Sequence, residues 1–202
     1  ATLSALGEQS ALATQNMTEA FSQLSTTQGL LAGTQRTVEY LKEVFQMLAQ
    51  EHDEEDFPRT MVSWFCEQFS IERCSLMVPD RSREALEIAA QRGIHPGVAA
   101  KVKVRLGQGI AGWVAFNRRP LFVRVRDEAG ELAPAGHDVY NSDSFISVPL
   151  VHNNRLAGVL NLSNRSDARP FDDLDFDRAV LAAALLAMML TSRDRTRAAA
   201  WS

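Results

Sequence analysis

Cysteine is scarce: Cys66 and Cys74 are the only two in 202 residues. That is too few for a disulfide framework and points to a reducing compartment. Long apolar runs are missing as well. The longest candidate, residues 179–190, falls well short of the roughly 20 residues a bilayer-spanning helix needs, so no membrane partner is expected. No basic segment followed by an apolar core opens the chain, and the cytoplasm is therefore the expected location. Nor is there a surplus of positive charge: 21 basic against 25 acidic residues leave a net charge of -4, which argues against a nucleic-acid surface. Finally, no nucleophile stands in a pattern with a base and an orienting group, so no catalytic residues are assigned.

What is present suits one folded domain with appendages: 46% hydrophobic and 23% charged residues are ordinary for a globular chain of this length. The stretch VRLGQGIAGWVAFNRRPLFV, residues 104–123, is the most structured in pattern. It predicts a strand end, a turn at Gly107-Gln108-Gly109, and a short helix over 110–117 whose first amides lack partners within the helix. Pro120 stops that helix, and residues 121–125 alternate as a strand with Phe122 facing opposite to Leu121, Val123 and Val125. Gly107, Gly109 and Gly112 have GxGxxG spacing, yet the βαβ unit and acidic residue of a dinucleotide site are not evident.

Residues 1–50 contain no proline and are read as helical. Met17, Phe21 and Leu24, and later Val38, Leu41, Phe45 and Leu48, are spaced as stripes suited to another helix. The phase slips between them at Gly29 and Gly33, which predicts a break or stutter over 27–34. The expected organisation is a signalling or dimerisation helix over 1–34, a domain with its flanking helices over 35–190, and a helical extension over 191–202.

The polar run 51–56 starts a second helix; His52, Asp53, Glu54 and Asp56 have a conceivable metal-binding composition but read better as a solvated helix start. Strands follow over 73–78 and 84–91, then a short helix near 96–101. A loop over 126–143 is long enough to suggest function. Strands over 144–150 and 155–163 flank the hairpin turn His152-Asn153-Asn154. A last helix carries Val180, Leu181, Ala184, Leu185, Met188 and Met189 as a broad apolar face, for the core or for a dimer interface. His95, His137 and His152 read as solvated loop histidines.

With GQGIAGWVAFNRRPLFV, then SFISVPLVHNNRLAGVLNLSNR, then PFDDLDFDRAVLAAAL in register over about residues 50–190, the chain closely resembles a GAF domain. The resemblance implies an α+β, PAS-related fold: an antiparallel sheet of about six strands with terminal helices packed on one face and a pocket on the other. Alternation places Ile146, Val148 and Leu150 on one face of their strand and Phe145, Ser147 and Pro149 on the other. Carried over from small-ligand members, the ligand-binding candidates are Leu76, Val78, Gly109, Ile110, Trp113, Phe122, Ser144, Phe145 and Ser147. Trp113 and Phe145 have a second reading as plain core.

Cyclic-nucleotide-binding members carry an Asn-Lys, Phe, Asp-Glu pattern. Asn164, Arg165, Phe171 and Asp175 resemble it, with arginine for lysine and Phe176 for the glutamate. Arg165 and Asp175 are accordingly expected as a structural salt bridge, and a cyclic nucleotide is one ligand the resemblance offers. Bilin attachment needs a cysteine in the pocket loops, and 126–143 has none; the cysteines do not match the arrangement of methionine-sulfoxide-reducing members either. The implied role is a non-catalytic sensor of bacterial signal transduction, homodimeric through its N- and C-terminal helices and coupled to an effector domain such as a histidine kinase or diguanylate cyclase. The alternative is a structural dimerisation module with a self-filled pocket.

Overall fold

The computed structural model describes residues 2–50, 56–125 and 144–199; within its helices the side chains of 2–14, 16, 20, 21, 30 and 192–199 are not described. The chain divides into two compact units, Ala1–Met47 and Leu48–Ser202.

The first unit belongs to one helix, α1, Thr2–Ala49. It runs without interruption through 27–34, where the sequence predicts a break or a stutter. The reason lies in its spacing: Met17, Leu24, Leu31, Val38 and Phe45 succeed one another at intervals of seven, so the row never loses phase. All five side chains are 46–62% exposed. Gly29 and Gly33 lie off this row with nothing near the position of an added Cβ, so they weaken the helix without interrupting its apolar line. The hydroxyls of Thr26, Thr27 and Thr37 donate to the carbonyls of Ser22, Gln23 and Gly33, which accommodates β-branched residues inside the helix.

The second unit is built on a six-stranded antiparallel sheet in the order β3-β2-β1-β6-β5-β4. Helix α2, Phe57–Gln68, begins with proline in its first turn and buries Phe57, Met61, Val62, Phe65 and Cys66. It leads into β1, Ile71–Pro79, and β2, Ala85–Arg92. Asp80 knits the turn between them, accepting from the backbone N–H groups of Glu84 and Ala85 and from the Ser82 hydroxyl. Next come α3, Pro96–Ala99, then β3, Lys103–Arg105, α4, Gly109–Asn117, and β4, Leu121–Val123. The chain resumes in β5, Phe145–His152, and β6, Arg155–Arg165, joined by Asn153 and Asn154, both with positive φ. Helix α5, Asp173–Ala199, carries Asp173 and Asp175 in its first turn, where carboxylates suit the helix dipole.

The two faces of the sheet differ in composition because each follows the period of two. Leu76, Leu160, Leu162, Ile146, Val148 and Leu150 form a buried apolar face. Helix α2 packs over β1 and β2, and α5 over β5 and β6. On α5 the buried apolar residues among those described are Ala179, Ala182, Ala183, Leu186 and Ala187, mostly small enough for close approach to the strands. The apolar face read from sequence is not this buried row: its Leu181, Ala184 and Met188 are exposed, and its Val180, Leu185 and Met189 are half-buried, which leaves it outside the core. The opposite sheet face carries α4, whose Val114 and Ala115 pack with Met77, Leu86 and Val159. A bulge at Leu76/Met77 shifts the β1–β2 register so that Met77 opposes Ile88 and Leu76 opposes Ala90.

Candidate functional site

The face under α4 is not uniformly apolar. Its central rows run across β5, β6 and β1, where Ser147 pairs with Asn161 and Asn161 with Ser75, while Phe145 pairs with Ser163 and Ser163 with Arg73. The first row is hydrogen-bonded end to end. The Ser147 hydroxyl donates to Asn161 Oδ1 at 2.7 Å, and Asn161 Nδ2 donates to Ser75 Oγ at 3.2 Å. Ser75 and Ser147 are both buried, so this ladder satisfies groups that would otherwise be costly to hold away from water.

Arg73, Ser75, Met77, Asn161 and Ser163 form the floor of a cleft of about 280 Å³. Its walls are apolar, from Ile88, Ile94, Val98, Val102 and Val104 on one side and Ile110 and Ala111 on the other. His95, exposed as the sequence suggests, positions the α3 side by accepting from the Gly97 N–H at its own Nδ1 and so caps that helix.

The remaining edge is the first turn of α4. Gly107 and Gly109 adopt φ of +84° and +58°, conformations that the sharp entry to this helix requires. Gln108 supplies no side-chain cap, and Gly109, Ile110 and Ala111 border the cleft with the amides that begin the helix. Gly112 allows the close approach to β3: an added Cβ would lie 2.2 Å from the Arg105 carbonyl oxygen.

Of the ligand candidates named from sequence, Gly109 and Ile110 line the cleft, and Ser147 bonds to its floor through Asn161. Phe145 stands behind it, clustered with Ile110 and Val123. Trp113 packs with the Met77–Leu86–Val114 cluster and is not a lining residue. Leu76 and Val78 point to the helix-covered face, because the alternation that brings Arg73, Ser75 and Met77 to the cleft sends them away. Phe122 also lies on that face, stacked on Phe176 of α5 with ring centroids 5.3 Å apart and Arg124 over its ring. Ser144 is structural: its hydroxyl donates to the Val123 carbonyl and accepts from the Phe171 N–H, both at 3.0 Å. The sequence reading missed Arg73, Ser75, Asn161 and Ser163, although Ser75 and Asn161 each stand between apolar neighbours in their strands.

Arg165 Nη1 meets Asp175 Oδ2 at 2.6 Å, joining the end of β6 to the start of α5 with both side chains mostly covered. Arg165 also pairs with Asp167, and the Arg165 and Arg169 guanidinium groups hold the Asp167 carboxyl well below the usual carboxylate range. His152 Nδ1 lies 2.7 Å from the buried Thr191 hydroxyl of α5, so this half-buried histidine ties the end of β5 to the last helix. His137 and the loop 126–143 lie outside the described residues, as do His52, Asp53 and Glu54. Among the described residues no cluster of three metal-ligating side chains occurs, and no helix is long and apolar enough to cross a membrane.

An antiparallel six-stranded sheet with α2 and α5 on one face and α4 beside a mixed cleft on the other defines an α+β fold. The profile of the GAF domain matches residues 51–191, and the chain belongs to that family. No protein of curated function matches the sequence. Among solved structures, the GAF domain of a phosphoenolpyruvate-protein phosphotransferase from Coxiella burnetii superposes with a TM-score of 0.68 at 18% identity, over 80% of this chain and 96% of that one. Free methionine-R-sulfoxide reductase from Neisseria meningitidis, solved with its substrate, gives 0.64 at 21% identity, over 78% and 90%. The second GAF domain of DevS from Mycobacterium smegmatis gives 0.57 at 19%, over 69% and 94%. At these identities the likeness is one of fold.

Proposed function

We propose that this GAF domain is a non-catalytic sensory module that takes a small ligand in the Arg73–Asn161 cleft, dimerises through α1 and α5, and passes occupancy to an effector domain. The observation that carries the ligand reading is the hydrogen-bonded row Ser147–Asn161–Ser75 beneath an apolar-walled cleft. Pockets for drug-sized ligands run from about 300 to 1,000 Å³, so about 280 Å³ favours a single amino acid, oxo acid or nucleobase over a dinucleotide. A flat or branched apolar body would rest on Ile88, Val104 and Ile110, with its polar edge on Asn161 and Ser163 and an anionic group toward the first turn of α4. The hydroxyls of Ser75 and Ser147 bond to an amide side chain and not to a base, an arrangement suited to recognition rather than to nucleophilic attack.

The dimer reading rests on the exposed seven-residue row of α1 and on Leu181, Ala184 and Met188 of α5, spaced three and four apart. A ligand shifts such a module only by binding one arrangement of its helices better than another. An unfilled cleft, with Trp113, Phe122 and Phe145 packed elsewhere, weighs against a structural module with a self-filled pocket.

Thermal unfolding of the full chain against amino acids, 2-oxo acids, purines and cyclic nucleotides tests the ligand reading. A specific ligand raises the midpoint with concentration, by the equivalent of about 2.7 kcal/mol at one hundred times its Kd, and Asn161→Ala removes that rise. A flat response across the panel, or an increment that survives Asn161→Ala, would sink it.

A further inference from the structure

Both cysteines stand on the sheet face opposite the cleft, where the sensory reading gives them no role. Cys66 lies near the end of α2, and Cys74 lies in β1, which α2 crosses. Both are free and buried. Cys74 is the ladder partner of Arg92, so the two side chains leave the sheet on the same face, toward α2. Cys66 and Arg92 in turn line one shallow surface cleft together with Glu67, Ser70 and Gly93. Cys66 and Cys74 are thus both neighbours of Arg92, one across the cleft and the other along the ladder, and each thiol perturbs the other. Cys66 and Arg92 face an opening to solvent, and Cys74 lies fully buried on the strand beneath α2.

We propose that Cys66 and Cys74 form a hydroperoxide-sensitive dithiol that closes to an intramolecular disulfide between α2 and β1. The hydrogen bond from Cys74 and the positive charge of Arg92 hold the Cys66 thiol below its ordinary range, whereas burial pushes the Cys74 thiol well up. The roles follow from that asymmetry. Cys66 thiolate attacks one oxygen of a hydroperoxide; its S–O bond forms as the O–O bond breaks, and the departing hydroxide or alkoxide takes a proton. Sulfur is oxidised to the sulfenic acid, and the peroxide is reduced. Cys74 sulfur then attacks Cys66 sulfur; the S–S bond forms, the S–O bond breaks, and the hydroxyl leaves as water with the Cys74 proton. A reducing thiol reverses the bridge, which accords with a transient disulfide in a reducing compartment.

The test treats the fully reduced chain at neutral pH with one equivalent of hydrogen peroxide, quenches with iodoacetamide and reads intact and peptide mass. Expected is a monomer lighter by two hydrogens, refractory to alkylation, with a Cys66–Cys74 cross-linked peptide that dithiothreitol opens. Cys74→Ser should leave Cys66 trapped as a dimedone-reactive sulfenic acid, and Arg92→Gln should slow thiol loss about tenfold. Because either variant can perturb folding, the wild-type chain is also oxidised in concentrated urea. Bridging as fast in urea as in the native chain, disulfides only between chains, or two thiols that stay alkylatable after peroxide would each overturn the proposal.

Discussion

Replacing Leu31 by aspartate separates a helix that pairs from one that only extends. Leu31 sits at the middle of the exposed row from Met17 to Phe45 and is 60% exposed. Fully burying a leucine is worth about 1.5–3 kcal/mol, so the part still exposed contributes about 1–2 kcal/mol when covered by a partner helix. A two-fold dimer contains that contact twice, giving about 2–4 kcal/mol for the pair of sites. At 1.4 kcal/mol per decade, the dissociation constant rises about thirty- to seven-hundredfold, before the further cost of two facing carboxylates. Sedimentation equilibrium over a range of loading concentrations reads this directly. Gly29→Ala is the control, because its Cβ enters open space off the row; it should leave association intact or strengthen it by improving helix propensity. The reasoning fails if Leu31→Asp associates as tightly as the wild type, or if the wild type is monomeric at every concentration reached.

The remaining expectations concern the sheet unit. Gly112→Ala forces a Cβ to within 2.2 Å of the Arg105 carbonyl oxygen, and urea unfolding should register a loss of about 1–3 kcal/mol; a change below about 0.5 kcal/mol would show that the β3–α4 turn yields freely. The Asp80 carboxyl is held well below the usual carboxylate range, first by its hydrogen bond from Lys103 and then by Ser82 and the Ala85 N–H. Its folded-state value lies below the unfolded value of about 4, so this pairing stabilises the fold above that pH and is lost as pH falls through the folded value. Thermal midpoints recorded downward from pH 6 should decline less steeply for Asp80→Asn than for the wild type; parallel declines would contradict this. For Lys103, raised by the same partner, the sign is opposite: its contribution is full below its unfolded value and fades as pH rises through the folded one.

The strands themselves were legible because alternation is a local property. Ile146, Val148 and Leu150 declare one face of β5 without knowledge of any neighbour. What failed was the choice of face on β1. Leu76 and Val78 look like a ligand wall, yet an apolar run of this kind is what two packed helices demand, and the polar alternates Arg73 and Ser75 mark the cleft. Pairing across strands decides the matter, and the partner of Ser75 is 86 residues away at Asn161. The seven-residue row in α1 was readable in principle. Grouping Met17 with Phe21, and Val38 with Leu41, drew in different second rows and gave the appearance of a slip where the row from Met17 to Phe45 has none. Convergence of Cys66, Cys74 and Arg92 depends on how α2 crosses the sheet, and no spacing in the sequence carries that.

The strand order has a consequence for how the protein comes into being. β1, β2 and β3 pair as near neighbours in the chain, as do β5 and β6, whereas the β1–β6 seam joins the two ends of the sheet unit. Closing a long loop costs entropy before any contact rewards it, so the seam should be the slow event in folding. Arg73, Ser75, Asn161 and Ser163 sit on the two strands of that seam, which means the cleft floor does not exist until the last ladder has closed. Any molecule that recognises this floor thereby distinguishes a finished chain from a partly folded one.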